Sequence, residues 1–209
     1  MVEPKRGLGI TDRVTAFVYD FGAPAVFYPV GGINALREKA LDALDIRPGA
    51  SVLELGCGTG ALTEKLISRG ARVTAVDRSD AMLRRARRRA PSAKIVCCDI
   101  LNFQYEQKFD RVLLAFVLHH MEAKERLSTL KIARRALEPD GLVGILDWAE
   151  PPRVPLRWIV RGFISAVEPR SAMDWIEQGF ESHLGRSDLR MIDKFDLAMG
   201  AAKVVIAKA

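Results

Sequence analysis

The sequence predicts an α/β fold, a doubly wound parallel sheet with helices on both faces. Two observations lead there. From about Ala50 to Trp148, short apolar runs alternate with longer amphipathic stretches, the pattern of strand–helix–strand units whose sheet is buried on both sides. Val52–Gly60 reads V-L-E-L-G-C-G-T-G, a buried strand that turns sharply into a helix on backbone bare enough to touch a ligand.

Taken in order, Ser51–Leu55 is a continuous apolar strand, and Ala61–Arg69 a helix stopped by Gly70. Arg72–Val76 is a second strand, ending in Asp77. Ser79 or Asp80 caps a helix over Ala81–Ala90, and Pro91 follows it. Lys94–Cys98 makes a third strand, ending in Asp99, and Phe109–Phe116 a fourth. Ala123–Leu137 is a helix, and Leu142–Trp148 a fifth strand entered through Pro139-Asp140-Gly141. Leu189–Leu197 and Ala202–Ala207 suit two final strands, with the link Ala198–Ala201 short enough for a hairpin.

Two stretches lie outside this alternation. Residues 10–44 are rich in aromatic and turn residues, including Phe17, Tyr19, Phe21, Phe27 and Tyr28. They read as an N-terminal flap over the ligand mouth. Residues 151–185 form an insertion in which Arg153, Arg157 and Arg161 fall four apart on one helical face, beside Trp158 and an apolar remainder. It reads as a lid helix that buries its apolar face and leaves its arginines in water. An interfacial membrane helix over 153–167 is the sharper alternative. The whole of 1–209 is read as one domain, with its core at 45–148 and its final strands at 186–209.

Composition narrows the class. The 209 residues are 49% apolar and 28% charged with a net charge of +6, as expected of a globular domain. No apolar run reaches the roughly 18 residues of a membrane span, and the start of the chain lacks the features of a secretory signal. Cys57, Cys97 and Cys98 have neither disulfide nor metal-ligand spacing, so a cytoplasmic setting and no metal are expected. Arg84, Arg85, Arg87, Arg88 and Arg89 crowd one helix without interleaved aromatics. They read as a solvated face, and no nucleic-acid partner is expected.

Ligands of such sheets sit beyond the carboxyl ends of the strands. Those ends carry Glu54 and the glycine loop, then Asp77, Asp99, Ala115–His120 and Asp147–Glu150. Asp77 offers two acceptor oxygens to a ribose diol, as in dinucleotide enzymes too. The loop discriminates. Its glycines are spaced G-x-G-x-G rather than G-x-G-x-x-G, and Glu54 beside them would repel a pyrophosphate but pair with an amine. A P-loop is excluded for want of G-K-[ST].

Pro48–Gly60 resembles the first motif of the class I S-adenosylmethionine-dependent methyltransferases. Val76-Asp77-Arg78-Ser79 with Met82-Leu83, Cys98-Asp99, Phe109-Asp110-Arg111-Val112 and Pro139-Asp140-Gly141-Leu142 are similar to that family's later motifs, in the same order. Val18-Tyr19-Asp20 and Leu118-His119-His120-Met121 are similar to the branch of ubiquinone/menaquinone C-methyltransferases and phosphatidylethanolamine N-methyltransferases. The resemblance implies a Rossmann-like seven-stranded sheet whose last strand is antiparallel. Its cofactor would be S-adenosylmethionine, leaving as S-adenosylhomocysteine. Glu54, Gly56, Cys57, Gly58 and Gly60 would take the methionine end, and Asp77 the ribose. Arg78 and Met82 would flank the adenine, Asp99 and Ile100 read its amine, and Ala115 and Phe116 line the sulfonium pocket.

The implied reaction is an in-line displacement, in which the protein aligns donor with acceptor and excludes water. A base is needed only where the acceptor must lose a proton; His119 and His120 are the candidates, and as neighbours only one of them is expected to act. Tyr19, Tyr28, Trp148 and Trp158 are candidate contacts for a small, apolar or lipid-like acceptor. A protein that binds the cofactor or an anionic surface without methyl transfer is the alternative reading.

Overall fold

A computed structural model describes residues 32–209. Tyr19, Tyr28 and the flap up to residue 31 lie outside the described residues. The described residues hold six helices and seven strands: α1 (Gly32–Ala43), β1 (Ser51–Leu55), α2 (Ala61–Ser68), β2 (Arg72–Asp77), α3 (Asp80–Arg89), β3 (Lys94–Cys97), β4 (Phe109–Ala115), α4 (Ala123–Ala136), β5 (Leu137–Trp148), α5 (Val154–Val167), α6 (Arg170–Gly185), β6 (Arg190–Leu197) and β7 (Ala202–Lys208). They build one sheet in the order β3-β2-β1-β4-β5-β7-β6. The first five strands pair in parallel, and β7 runs antiparallel to both β5 and β6.

Strand order reverses between β1 and β4. The crevice at a doubly wound sheet's switch point therefore opens over the carboxyl ends of those two strands. Val52, Leu53, Leu55, Val112, Leu113, Leu114, Val143, Ile145 and Leu146 are buried along the central strands. Burial on both faces is what their unbroken apolar runs require.

The structure departs from the sequence reading in three places. Residues 32–44, read as part of the flap, form α1 and its exit, and Ile33, Leu36, Ala40, Leu41 and Leu44 are buried in the main core. Their spacing is that of a helix laying one stripe on a sheet. Strand β5 begins at Leu137 rather than Leu142, because Leu137 pairs with Phe109 before the ladder shifts register and resumes at Arg111.

The third difference is the insertion. Helix α5 does not leave all its arginines in water. Arg161 is ion-paired with Glu150 at 2.8 Å and Glu177 at 2.5 Å, and Arg157 donates to the carbonyls of Pro151 and Pro152. Ile164 is buried, whereas Val154, Trp158 and Ile159 are 58–70% exposed. The carboxylates of Glu150 and Glu177 hold Arg161 at the border of the buried face that carries Ile164, and Val154, Trp158 and Ile159 turn outward. Helix α6 is less a lid than a core element. Ser171, Ala172, Trp175, Ile176, Phe180, His183 and Leu184 are buried along it, with a kink at Gly179 (φ 70°).

Candidate active site

The turn from β1 to α2 is built on three left-handed glycines, Gly56 (φ 81°), Gly58 (φ 54°) and Gly60 (φ 78°). Two of them serve the fold. A Cβ on Gly56 would meet Val117 at 2.4 Å, and one on Gly60 would meet the Ala86 backbone of α3 at 2.8 Å. Gly58 differs: its missing Cβ faces only the Met82 sulfur, 3.7 Å away. The loop is anchored from the next strand, where the Val76 carbonyl accepts from the amides of Gly56 and Cys57. Cys57 is buried, and burial pushes its thiol well above the ordinary range. A buried, protonated thiol is an inert packing group here.

Asp77 closes the same loop from the end of β2. Its Oδ2 accepts from Gly58 N at 2.8 Å and its Oδ1 from Ser79 N at 2.9 Å. Each oxygen keeps a lone pair for a further donor. Glu54, beneath the loop, is 2% exposed and accepts from the Thr63 hydroxyl at 2.7 Å. Burial pushes this carboxyl up to about 7, against the opposing pull of the Thr63 bond and Arg37. A buried acid with one neutral donor gains from a cation placed beside it. The cradle therefore combines bare backbone, a diol-matched carboxylate and a buried acid.

Along the crevice, Cys98 N donates to the Asp77 carbonyl at 3.0 Å, which seats the end of β3 next to β2. Asp99 then caps a single 3-10 turn over Ile100–Asn102 by accepting from Leu101 N, with Ile100 buried. The predicted adenine-side residues Arg78, Met82, Asp99 and Ile100 thus follow the carboxyl ends of adjacent strands β2 and β3. At the end of β4, Ala115 is half-buried and Phe116 holds a positive φ of 55°. That conformation is costly for a bulky residue and marks a backbone constrained by its surroundings. Phe116 packs edge-on to Trp148 with ring centroids 5.8 Å apart, and Trp148 in turn on Phe163 at 6.1 Å. Trp148, a predicted acceptor contact, is buried within this aromatic wall, whereas Trp158 points outward from α5, 70% exposed.

His119 and His120 follow on a 3-10 turn (Leu118–His120), with ring centroids 3.9 Å apart. Their surroundings are opposite. His119 is buried, with Nδ1 2.5 Å from Asp147 Oδ1. Burial alone would lower it, but Asp147 and then Glu168 outweigh that and raise it to about 9. His120 keeps 36% of its side chain exposed, and burial together with the neighbouring His119 charge lowers it to about 4.

Two acids that were not among the predicted site residues organise this corner. Asp147, 1% exposed, accepts from Leu118 N at 3.0 Å, His119 N at 3.3 Å and its neighbour Trp148 N at 2.8 Å, besides the imidazole. The signal for it was an acid at the end of the apolar run of β5. Glu168, between α5 and α6, approaches both histidines, at 3.5 Å and 3.9 Å. Nothing local in the sequence marks it. Helix α6 clamps the turn from behind. Ser171 Oγ donates to the His119 carbonyl, Trp175 Nε1 to the Trp148 carbonyl, and buried Arg126 of α4 to the carbonyls of Leu118 and Ser171 and to Asp174.

A family described as methyltransferase domain matches residues 52–141. Over 182 residues the chain is 30% identical to an uncharacterized methyltransferase of Synechocystis sp., covering 86% of this chain and 85% of that protein. The chain belongs to the class I S-adenosylmethionine-dependent methyltransferases. Among related methyltransferases is a demethylmenaquinone methyltransferase of Beutenbergia cavernae, 31% identical over 57% of this chain but only 49% of that protein. A TehB-like S-adenosylmethionine-dependent methyltransferase from Corynebacterium glutamicum shares the fold with a TM-score of 0.67 at 19% identity, over 95% of this methyltransferase and 97% of that one.

Proposed function

We propose that this methyltransferase passes a methyl group to a small, apolar or lipid-like acceptor at the Phe116–Trp148–His120 corner. The observation that carries the reading is the contrast along one crevice, a polar glycine cradle at β1–β2 giving way to an aromatic wall at β4–β5. The bound cofactor supplies a methyl carbon already activated by a sulfonium. The chain's own residues orient and exclude water.

Gly58 leaves the space that any side chain would fill, and Asp77 has acceptor capacity left for two hydroxyls. Glu54 pairs with the cofactor's amine, an arrangement that its burial favours. Arg78 and Met82 flank the adenine, and Asp99 with the backbone at Ile100 reads its amine. Phe116 and Trp148 exclude water around the methyl group. His120 meets the acceptor, because its ring reaches solvent; His119, wholly enclosed and held by Asp147, positions the turn instead. The demethylmenaquinone methyltransferases among the relatives favour a ring-bearing apolar acceptor. The outward Val154, Trp158 and Ile159 of α5 suit delivery of such an acceptor from a membrane surface.

Calorimetry with S-adenosylmethionine and S-adenosylhomocysteine, followed by turnover on quinol, phenol, amine and thiol acceptors, tests the proposal. Binding lost in Gly58→Arg and Asp77→Ala, with turnover on an apolar quinol or phenol, is the expected result. Binding that survives both substitutions, or turnover confined to charged acceptors, sinks it.

A further inference from the structure

We propose that His119, His120 and Glu168 form a binding site for one divalent transition-metal cation of the borderline class represented by zinc(II). The three side chains each offer one ligand atom, and those atoms lie within 4.8 Å of one another. The Glu168 carboxylate stands 3.5 Å from His119 Nε2 and 3.9 Å from His120 Nδ1. Four ligands at about 2.1 Å from a tetrahedral ion are separated by about 3.4 Å. Two edges of the required polyhedron are therefore already near their final length. The third closes by movement of His120, which has the solvent-facing ring.

The second observation is the buried His119 Nε2, which makes no well-formed hydrogen bond and faces the Glu168 carboxylate at 3.5 Å, a costly condition for an imidazole nitrogen in a region this enclosed. Its other nitrogen explains where it points. Asp147 grips Nδ1 at 2.5 Å while accepting three backbone amides, so the ring cannot turn. A carboxylate that fixes one imidazole nitrogen and aims the other at a shared point is the usual support of a metal-bound histidine. Glu168 is likewise steadied by a hydrogen bond from the Trp148 side chain.

Charge agrees with geometry. Asp147 and Glu168 bring two carboxylates against one imidazole, an excess of acid that a divalent ion offsets better than a single proton. Two nitrogens and one oxygen select zinc, cobalt, iron or manganese over magnesium or calcium, which prefer all-oxygen shells. Three protein ligands leave a coordination position unfilled, as in metal sites that bind substrate rather than only brace a fold. It opens on the exposed side of His120, beside the Phe116–Trp148 wall. An acceptor bearing an oxygen or thiol next to the methylated atom is the class that such a position would hold. Cation binding stands apart from the proposed acceptor reading; only this use of the ion rests on it.

The test is titration of chelator-stripped protein with cobalt(II). The expected result is one equivalent bound with the intense visible bands of four- or five-coordinate cobalt, displaced by zinc(II). His120→Asn and Glu168→Gln, both at positions with some solvent contact, should each weaken binding roughly tenfold or more. Cys97→Ser, an exposed thiol elsewhere, should not. S-adenosylmethionine calorimetry on the same samples separates the two sites, since the ligand variants should retain cofactor binding. A spectrum of hexaaqua cobalt alone, or one-equivalent binding unchanged in both ligand variants, overturns the proposal.

Discussion

Glu54 makes the cradle's chemistry measurable through pH. Its carboxyl is raised from an ordinary 4.5 to about 7, chiefly by burial. A raised acid binds more protons in the folded state than in the unfolded one. The associated stability is therefore fully present below about pH 4.5 and is lost as pH rises through about 7. One decade of proton affinity is worth about 1.4 kcal/mol, so the loss amounts to about 3 kcal/mol. At a urea dependence of about 2 kcal/mol per molar, that moves the midpoint by about 1–2 M. Glu54→Gln keeps the shape and an acceptor for Thr63 while removing the titration. Urea unfolding of both proteins across about pH 5 to 7 should show the wild type losing stability relative to the variant. In the proposed pairing with Glu54 the cofactor's amine reverses the preference, so S-adenosylmethionine binding near pH 6 should release a proton, readable by calorimetry in two buffers of different ionisation enthalpy. A flat wild-type-minus-variant curve over that range, or binding with no proton released, would refute the account of Glu54.

The loop's two glycine roles separate by substitution. Gly60→Ala, facing the Ala86 backbone at 2.8 Å with φ 78°, should cost about 2 kcal/mol in a thermal melt, while Gly58→Ala should cost about 1–2 kcal/mol and weaken cofactor binding roughly tenfold by calorimetry. Asp147→Ala strands three amides and an imidazole in the interior and should cost about 3–5 kcal/mol in urea unfolding, with hydrogen exchange rising first at Leu118 and His119. Trp158→Ser should leave stability within about 0.5 kcal/mol, because the ring is 70% exposed, but should lower co-sedimentation with anionic vesicles.

The parallel half of the sheet was legible because each of its parts is local. Unbroken apolar runs name buried strands, Gly70 and Pro91 end helices, and Ser79 caps α3 through Met82 N. The cradle was legible for the same reason, since Glu54, Gly58 and Gly60 stand within seven residues. What failed to show depends on distance along the chain. Glu168 meets His119 only because α5 and α6 fold back over the β4 end, 49 residues later in sequence. Asp147 could be placed at a strand end, but not its grip on an imidazole 28 residues earlier. The orientation of α5 was misread for a related reason. Arg157 and Arg161 have their partners, Glu150 and Glu177, outside the helix, so the helix's own periodicity could not reveal which side would turn inward.

The position of β7 sets a constraint on how the chain is made. Among the described strands it comes last in sequence, yet it lies between β5 and β6, paired along Val143–Trp148 on one side and Arg190–Leu197 on the other. Until residues 202–208 leave the ribosome, β5 carries an unpaired apolar edge and β6 has no strand neighbour among the described residues. The five parallel strands can assemble during synthesis, but sealing them waits until residues 202–208 have been made. An incomplete chain therefore presents the kind of open edge that recruits other strands. Loss of the segment from Ala202 onward should yield aggregation rather than a slightly weakened enzyme.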